Sequence, residues 1–415
     1  MSELALLGGI PIRKAPYPTW PQHGEAERAQ ILETLETGAW GYFSGDKQLQ
    51  FAQQFAQIQD ATYGFPVMNA TCGLEVALKA AGVLPGDEVI VPGFTWVATA
   101  SCALTIGAIP IFVDIDPGTY CMDPDAFEAA ITPRTKAVIP VHLYSCLADL
   151  DRILEIASRH DIVVIEDCAH AHGAQWRDQG AGSWGDMGVF SFQEGKTMSG
   201  GEGGLIVTNE KRYEELSHAY ANCGRLRKED ELEEHVLGWN YRMTEWQAAI
   251  LLAQLTRLEE QTAKRMAAMS YLDDQWEAMD GLAPMRPEPR MTRRGAYRYD
   301  FCYDAKAWRD VPRSIFVAAL QAEGIPVNAP YTPVYRSPLF RVREQEYPQA
   351  SARCDYENLR LPVTEHAITQ ECITMPHQTL LAQDTDLADI PKAVAKIRQG
   401  LDALTDMTEE DLEIL

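Results

Sequence analysis

A chain of 415 residues that is 46% apolar and 23% charged is long enough for two domains with sizeable cores, and this composition excludes disorder and fibres. The formal net charge of −24 sets the chain against nucleic acid and anionic membranes and leaves a small-molecule partner as the expectation. No apolar run approaches the roughly 20 residues that span a bilayer, and the start MSELALLGGIPIRK lacks the basic head and long apolar stretch of a signal peptide, so a cytoplasmic protein is expected.

The first feature in chain order is Gly41-Tyr-Phe-Ser-Gly45, a short loop expected to contribute to the pocket. Short apolar runs bounded by Gly, Pro or Asp then follow at 65–68, 88–92, 109–113, 136–141, 162–165, 188–192 and 205–208. Their unbroken hydrophobicity marks strands buried on both faces, and the helical patterns between them imply crossovers and a mostly parallel, seven-stranded α/β sheet. Beyond residue 210 the pattern turns helical, with one long amphipathic stretch from about 244 to 269 expected to link two domains. The expected division is 1–265, an N-terminal segment with the large domain, and 270–415, a smaller C-terminal α/β domain whose Pro- and Arg-rich loops surround shorter elements. The nine cysteines are scattered singly with no C-x-x-C pair, which signals neither zinc nor disulfides and reads as reduced core thiols.

Ligands of such sheets bind at the carboxyl ends of the strands, so the residues following each run carry the chemistry. Asn69-Ala-Thr-Cys-Gly73 opens a helix after the first strand: free backbone N–H groups and the Thr71 hydroxyl suit a phosphate, and an N-cap by Asn69 or Thr71 is the plainer alternative. Trp96, after the second strand, either lies flat on a planar ring or packs in the core. The fifth strand ends in Glu166-Asp167, and a buried carboxylate there needs a cationic or proton-bearing partner. A metal bound by Asp167, His170 and His172 is disfavoured by their spacing, and a turn-capping Asp167 would leave the next feature unexplained. That feature is Lys196, in SFQEGKTMSGGEGG between two strands. It is no P-loop, because the glycines mostly follow the lysine and a strand rather than a helix comes next. A phosphate cup, a planar stacker, an acid for a ring nitrogen and an amine able to form a Schiff base, with Ser191 adding a hydroxyl to the phosphate, together describe a pyridoxal 5'-phosphate site.

Four stretches, GDEVIVPGFTWVATA, IEDCAHAHGA, SFQEGKTMSGGEGG and GWNYRMTEWQAAIL, carry a resemblance to the sugar and cyclitol aminotransferases of the DegT/DnrJ/EryC1/StrS group, and it covers nearly the whole chain. The resemblance implies the fold type I (aspartate aminotransferase-like) architecture and a homodimer with shared active sites. It implies roles for Lys196 as the Schiff-base lysine, Asp167 as the partner of the pyridinium nitrogen, Trp96 as the stacking aromatic and His170 as neighbour of the phenolic oxygen. Thr71, Cys72 and Ser191 match phosphate ligands of the same subunit, and Asn240 matches an asparagine reaching the phosphate of the other subunit. Ala70 departs from the group's usual glycine, a change tolerable at a φ below zero.

A lysine at 196 speaks against the dehydratase branch, which resembles this chain but has histidine there. YTPVYRSPLF (331–340) and ITMPH (373–377) resemble the branch that aminates inososes with glutamine, while SFQEGK is similar to the 3-amino-5-hydroxybenzoate synthases. A nucleotide-sugar acceptor would call on basic residues such as Arg225, Arg227, Arg293, Arg294 and Arg298, and a cyclitol or another small ketone would not. Glutamine, glutamate and alanine are the donors considered, and a broad-range amine transaminase is a further alternative. A cofactor-binding regulator would need a basic nucleic-acid module that this acidic chain lacks.

Overall fold

Strands β1 (Tyr63–Val67), β2 (Glu88–Pro92), β3 (Ile109–Val113), β4 (Thr135–Val138), β5 (Val163–Asp167), β6 (Met187–Ser191) and β7 (Gly204–Thr208) form one sheet in a computed structural model that describes residues 3–226, 234–341 and 343–412. The order across the sheet is β1-β7-β6-β5-β4-β2-β3. The five strands from β6 to β3 pair in parallel, and β7 runs against both its neighbours, as expected of a mostly parallel sheet. β2, β6 and β7 are buried along their whole length, which is why they read as continuous apolar runs. Strands are added on one side of β2 and then on the other, and the crevice for a ligand opens at the carboxyl ends where that direction changes.

The helix expected from about 244 to 269 is two helices, α3 (Glu245–Leu255) and α4 (Leu258–Glu277). The Thr256 hydroxyl donates to the Ala253 carbonyl at 2.7 Å and so offers the backbone an alternative to the helical ladder, a local competition that apolar periodicity does not reveal. α3 starts with a capping box in which Thr244 and Gln247 satisfy each other's backbone N–H groups. α4 runs unbroken through 265–270, where the division between domains is expected, and joins two cores: Leu258 packs beneath the large sheet, whereas Met269, Leu272 and Trp276 belong to a second cluster. That second cluster is built on the antiparallel sheet of β8 (Leu282–Pro284), β9 (Arg298–Tyr303) and β10 (Cys372–Pro376). The N-terminal residues, grouped by chain order with the large domain, pack here instead: Leu4 is in this cluster, and Ala5 and Ile12 donate backbone N–H groups to the Glu323 carboxylate at 2.9 Å each. Periodicity carries no information on such long-range docking. All nine cysteines are free thiols, though Cys72, Cys223, Cys302 and Cys354 are only half-buried rather than core residues. No helix among the described residues is long and apolar enough to cross a membrane.

Candidate active site

A cavity of about 600 Å³ lies at the carboxyl ends of the large sheet, and residues following β1, β2, β4, β5 and β6 line it together with Tyr297, Arg298 and Tyr331 from the C-terminal part of the chain. Its size falls within the ordinary range for small-molecule sites.

Asp167 closes β5 and reaches the cavity while remaining 6% exposed. Helix α2 (Ala98–Thr105) follows β2, and its Thr99 hydroxyl donates to Asp167 Oδ2 at 2.8 Å, while the Ala169 N–H donates to Oδ1 at 3.1 Å. Burial pushes the carboxyl up from its ordinary value, against the pull of Thr99, Ala169 and the Lys196 charge. Thr99 is absent from the sequence-based site, and its only signal is the one-turn spacing from Thr95, whose hydroxyl lies 2.8 Å from it.

Lys196 sits in a loop braced from three directions. Its own N–H donates to the Gln193 carbonyl at 2.9 Å, the Trp20 indole donates to the Glu194 carbonyl at 3.0 Å, and His377 Nε2 lies 3.2 Å from the Gly195 carbonyl. The amine stands 4.2 Å from the centroid of the Tyr297 ring. Burial lowers its pKa to about 8; Asp167 opposes that shift and Arg298 adds to it. An amine-directed reagent applied to the cofactor-free protein is therefore expected to label Lys196 faster as pH rises through about 8, because only the neutral amine reacts. Ordinary lysines titrate near pH ~10.4. Peptide mapping checks this, and a Lys196 midpoint with the other lysines would refute it.

His170 is 4% exposed, and its ring lies near-parallel to those of Tyr144, at 5.8 Å, and Tyr297, at 4.0 Å. The Tyr144 N–H donates to His170 Nδ1 at 3.2 Å, so the ring proton sits on Nε2. Burial and the nearby Lys196 hold the ring well below its ordinary pKa, leaving it a neutral donor. Tyr144 achieves this in the left-handed region, at φ 53°, an uncommon conformation for a bulky residue outside functional sites.

Asn69 is the N-cap of α1 (Ala70–Ala80), accepting from the Cys72 N–H at 2.9 Å, so the capping reading holds for it. Thr71 and Ser191 line the cavity. Ala70 is the first residue of the helix, where an alanine is unstrained. Gly204 lets the cup sit on the start of β7: a Cβ there would lie 2.5 Å from the Asn69 carbonyl carbon. Trp96 also lines the cavity and is 56% exposed, so its ring is not core packing.

Two expectations, Cys72 and the 41–45 loop, do not fall on this cavity, and Asn240, expected at the phosphate of the other subunit, lies off it as well. Cys72 lies just behind the cup, its thiol pushed up to about 11 by burial; Asn240 is exposed on the surface; and the 41–45 loop lines a separate groove beside Glu245. His172 turns from the cavity, with Nε2 2.8 Å from the Ser191 carbonyl. The remaining cluster of ligand-type atoms, His142, Glu166 and Cys168, is committed internally. Glu166 accepts N–H groups from Gly182, Trp184 and Gly185 and lies 2.9 Å from His142 Nε2. Of the arginines considered for a diphosphate, Arg225 pairs with Glu234, Arg293 with Glu259 and Arg294 with Asp273, and Arg227 lies outside the described residues. Arg298 alone reaches the cavity. Tyr297 has no local sequence signal, since it precedes β9 and reaches the cavity only by tertiary packing.

The model of the DegT/DnrJ/EryC1/StrS aminotransferase family matches residues 21–394. The chain belongs to this family. An L-glutamine:2-deoxy-scyllo-inosose aminotransferase of Streptoalloteichus tenebrarius is 39% identical over 414 residues, covering 95% of this chain and 97% of that protein. An L-glutamine:scyllo-inosose aminotransferase of Streptomyces griseus is 38% identical over 415 residues, with 95% and 97% covered. Among solved structures, a 3-amino-5-hydroxybenzoic acid (AHBA) synthase superposes with a TM-score of 0.82 at 35% identity, covering 93% of this chain and all of that one. As a DegT/DnrJ/EryC1/StrS member the protein is an aminotransferase of fold type I, and the seven-stranded sheet with its cavity at the strand ends is that architecture.

Proposed function

We propose that this aminotransferase moves the amino group of L-glutamine to a keto-cyclitol of the inosose class, using pyridoxal 5'-phosphate, in the cytoplasm. The observation that carries the acceptor is the charge of the cavity: of the four candidate arginines described, three are tied to carboxylates elsewhere and one reaches it, too few within the protomer for a diphosphate. The neighbouring hydroxyls and amide of Tyr297, Tyr331 and Gln193 suit a polyol. The relatives named for inososes add support.

The residues present fit the cofactor. An amine of lowered proton affinity, a sunken carboxylate, an exposed indole wall and a helix start seated on Gly204 converge on one cavity. Lys196 would hold the cofactor, Trp96 would cover its ring, and Thr71 and Ser191 would take its phosphate, with Cys72 behind them and its N–H held by Asn69. Pyridoxal phosphate, when bound, would supply an electron sink for the pair left at the carbon next to the reacting nitrogen. Lys196 Nζ, neutral above about pH 8, would take the proton from the donor's amine-bearing carbon and deliver it to the cofactor's C4′ carbon. Asp167 would keep a proton on the ring nitrogen, and His170 Nε2–H would donate to the phenolic oxygen. In the second half of the cycle the same groups act in reverse on the ketone.

Asn240 serves the partner's phosphate in a homodimer, and its segment lies among exposed apolar side chains: Trp40 contacts Trp246 at 5.6 Å, Arg242 covers Phe43 at 5.2 Å, and Met68 is 38% exposed. Such a patch suits a subunit interface. The test is spectroscopic. L-Glutamine is expected to bleach the visible band of the purified holoenzyme, and scyllo-inosose to restore it where a nucleoside-diphosphate keto-sugar does not. Restoration by the diphosphate sugar alone would overturn the acceptor, and a one-chain particle by light scattering would overturn the shared site.

A further inference from the structure

Arg265 sits on α4, the helix that joins the two cores, with its side chain fully buried. Among the described residues it makes no ion pair, and its Nε and Nη1 have no hydrogen-bond partner; burial alone pulls its pKa down to about 9. An uncompensated guanidinium in a core costs stability, so its presence calls for another reason.

What the guanidinium touches is the support of the Lys196 loop. Besides a long bond to Gln261 at 3.5 Å, Nη2 donates to His377 Nδ1 at 3.1 Å, and the guanidinium carbon lies 5.2 Å from the centroid of the Trp20 ring. His377 and Trp20 meet edge to face at 4.5 Å, and they hold two successive carbonyls just ahead of the lysine, those of Gly195 and Glu194. A guanidinium has only donors, so His377 Nδ1 accepts and the ring proton lies on Nε2, which donates it to the Gly195 carbonyl at 3.2 Å. Burial and the adjacent cation hold the ring well below its ordinary pKa, which keeps it neutral and leaves Nδ1 able to accept.

We infer that Arg265 is a positioning residue for the amine of Lys196, acting through the His377 ring on the carbonyl of Gly195. The inference rests on the reading of Lys196 as the reacting amine. A donor and an acceptor at opposite ends of one imidazole leave it a single orientation and a single tautomer, and donation to Nδ1 strengthens the bond that Nε2–H makes. Arg265 is anchored on a helix of 20 residues, so this relay ties a glycine-rich loop to a rigid element. Without it the peptide before Lys196 keeps its bond to Trp20 but loses the orientation of the bond that reaches it from the end of β10.

A merely structural Arg265 would stabilise the fold, and its loss would lower stability and activity together. A positioning Arg265 is held at a cost. Arg265→Met, which fills the space and removes the charge, is therefore expected to be at least as stable as wild type in urea. It is also expected to lose roughly ten- to a hundredfold in kcat with KM for L-glutamine within about twofold. Arg265→Lys keeps a donor and a charge and is expected to recover part of the loss. In the His377→Phe protein, itself slow, the Arg265→Met change is expected to cost less than about threefold, because the link is already cut. Nitrogen NMR of histidine-labelled holoenzyme gives a readout apart from turnover, with the His377 signals assigned by their absence from His377→Phe. The ring proton is expected on Nε2 alone in wild type and shared with Nδ1 in Arg265→Met. An Arg265→Met protein with wild-type kcat, or one destabilised in step with its loss of activity, overturns the inference. So does an equal loss in both backgrounds, or a wild-type ring protonated on Nδ1. Lys196→Ala with undiminished turnover would instead condemn the amine reading, and the ring spectra would still decide whether Arg265 fixes His377.

Discussion

Replacing Lys196 by alanine is expected to lower amino transfer by roughly 10,000-fold, the upper end of what a positioned proton-transfer group supplies. The loss should be chemical rather than structural. The Lys196 side chain makes no ion pair among the described residues, its amine faces the Tyr297 ring, and the loop around it is held by backbone bonds to Gln193, Trp20 and His377 that the substitution leaves in place. Added ethylamine should therefore recover part of the rate, since a small amine can occupy the space and move the proton. Unfolding gives an independent check with a defined sign. Lys196 titrates at about 8 when folded and at its ordinary 10.5 when unfolded, so its charge costs stability in full below about pH 8, and that cost fades as pH rises toward 10.5. Cofactor-free Lys196→Ala should be at least as stable as wild type at pH 7, with the gap closing by pH 10. An Ala variant that is unstable at pH 7, or inactive and unrescued by amine, would mean that Lys196 is structural.

Much of this site is legible in the sequence because its parts lie next to strands that announce themselves. β2, β6 and β7 are buried throughout, so each gives an apolar run with a sharp end, and Trp96 and Lys196 fall just beyond two of these runs while Asp167 closes β5. The local signal fails where a side chain's partner is distant. Tyr297, which stacks on His170 and faces Lys196, comes from a segment with no strand-end motif, and only the docking of the antiparallel sheet brings it there. Tyr144 depends on a left-handed backbone that its residue type argues against. The break between α3 and α4 falls at Thr256 and Arg257, inside an otherwise continuous amphipathic pattern that gives no sign of it. Arg298 is visible as one arginine among several, and it stands out only when the others are found paired with acids. Cys72 shows the reverse case, in which motif resemblance points to a residue that the folded protomer keeps off the cavity wall.

Asp167→Asn should cost roughly 100- to 1,000-fold in turnover while leaving the fold intact, the scale on which a preorganised electrostatic partner acts. The asparagine has the shape of the aspartate, and the hydrogen bonds around it can adjust. Oδ1 still accepts from the Ala169 N–H, and an amide nitrogen in place of Oδ2 can donate to the Thr99 hydroxyl, which then donates to Thr95, 2.8 Å away, because either hydroxyl of that pair can be the donor. What disappears is the negative charge able to keep a ring nitrogen protonated. The same charge opposes the lowering of the Lys196 pKa, so the labelling midpoint of Lys196 in the cofactor-free variant should move below about 8. Stability should change in the opposite direction to activity. Burial raises the Asp167 pKa above its unfolded value, so in the cofactor-free protein a stability cost builds as pH rises past the unfolded value and is complete above the folded one, and the neutral amide escapes that cost at pH 7. A variant that is more stable, has a lower Lys196 midpoint and transfers amine slowly would identify Asp167 as an electronic partner. Turnover within a few-fold of wild type would sink that role, and an unchanged Lys196 midpoint would show that the two charges do not sense each other across the cavity.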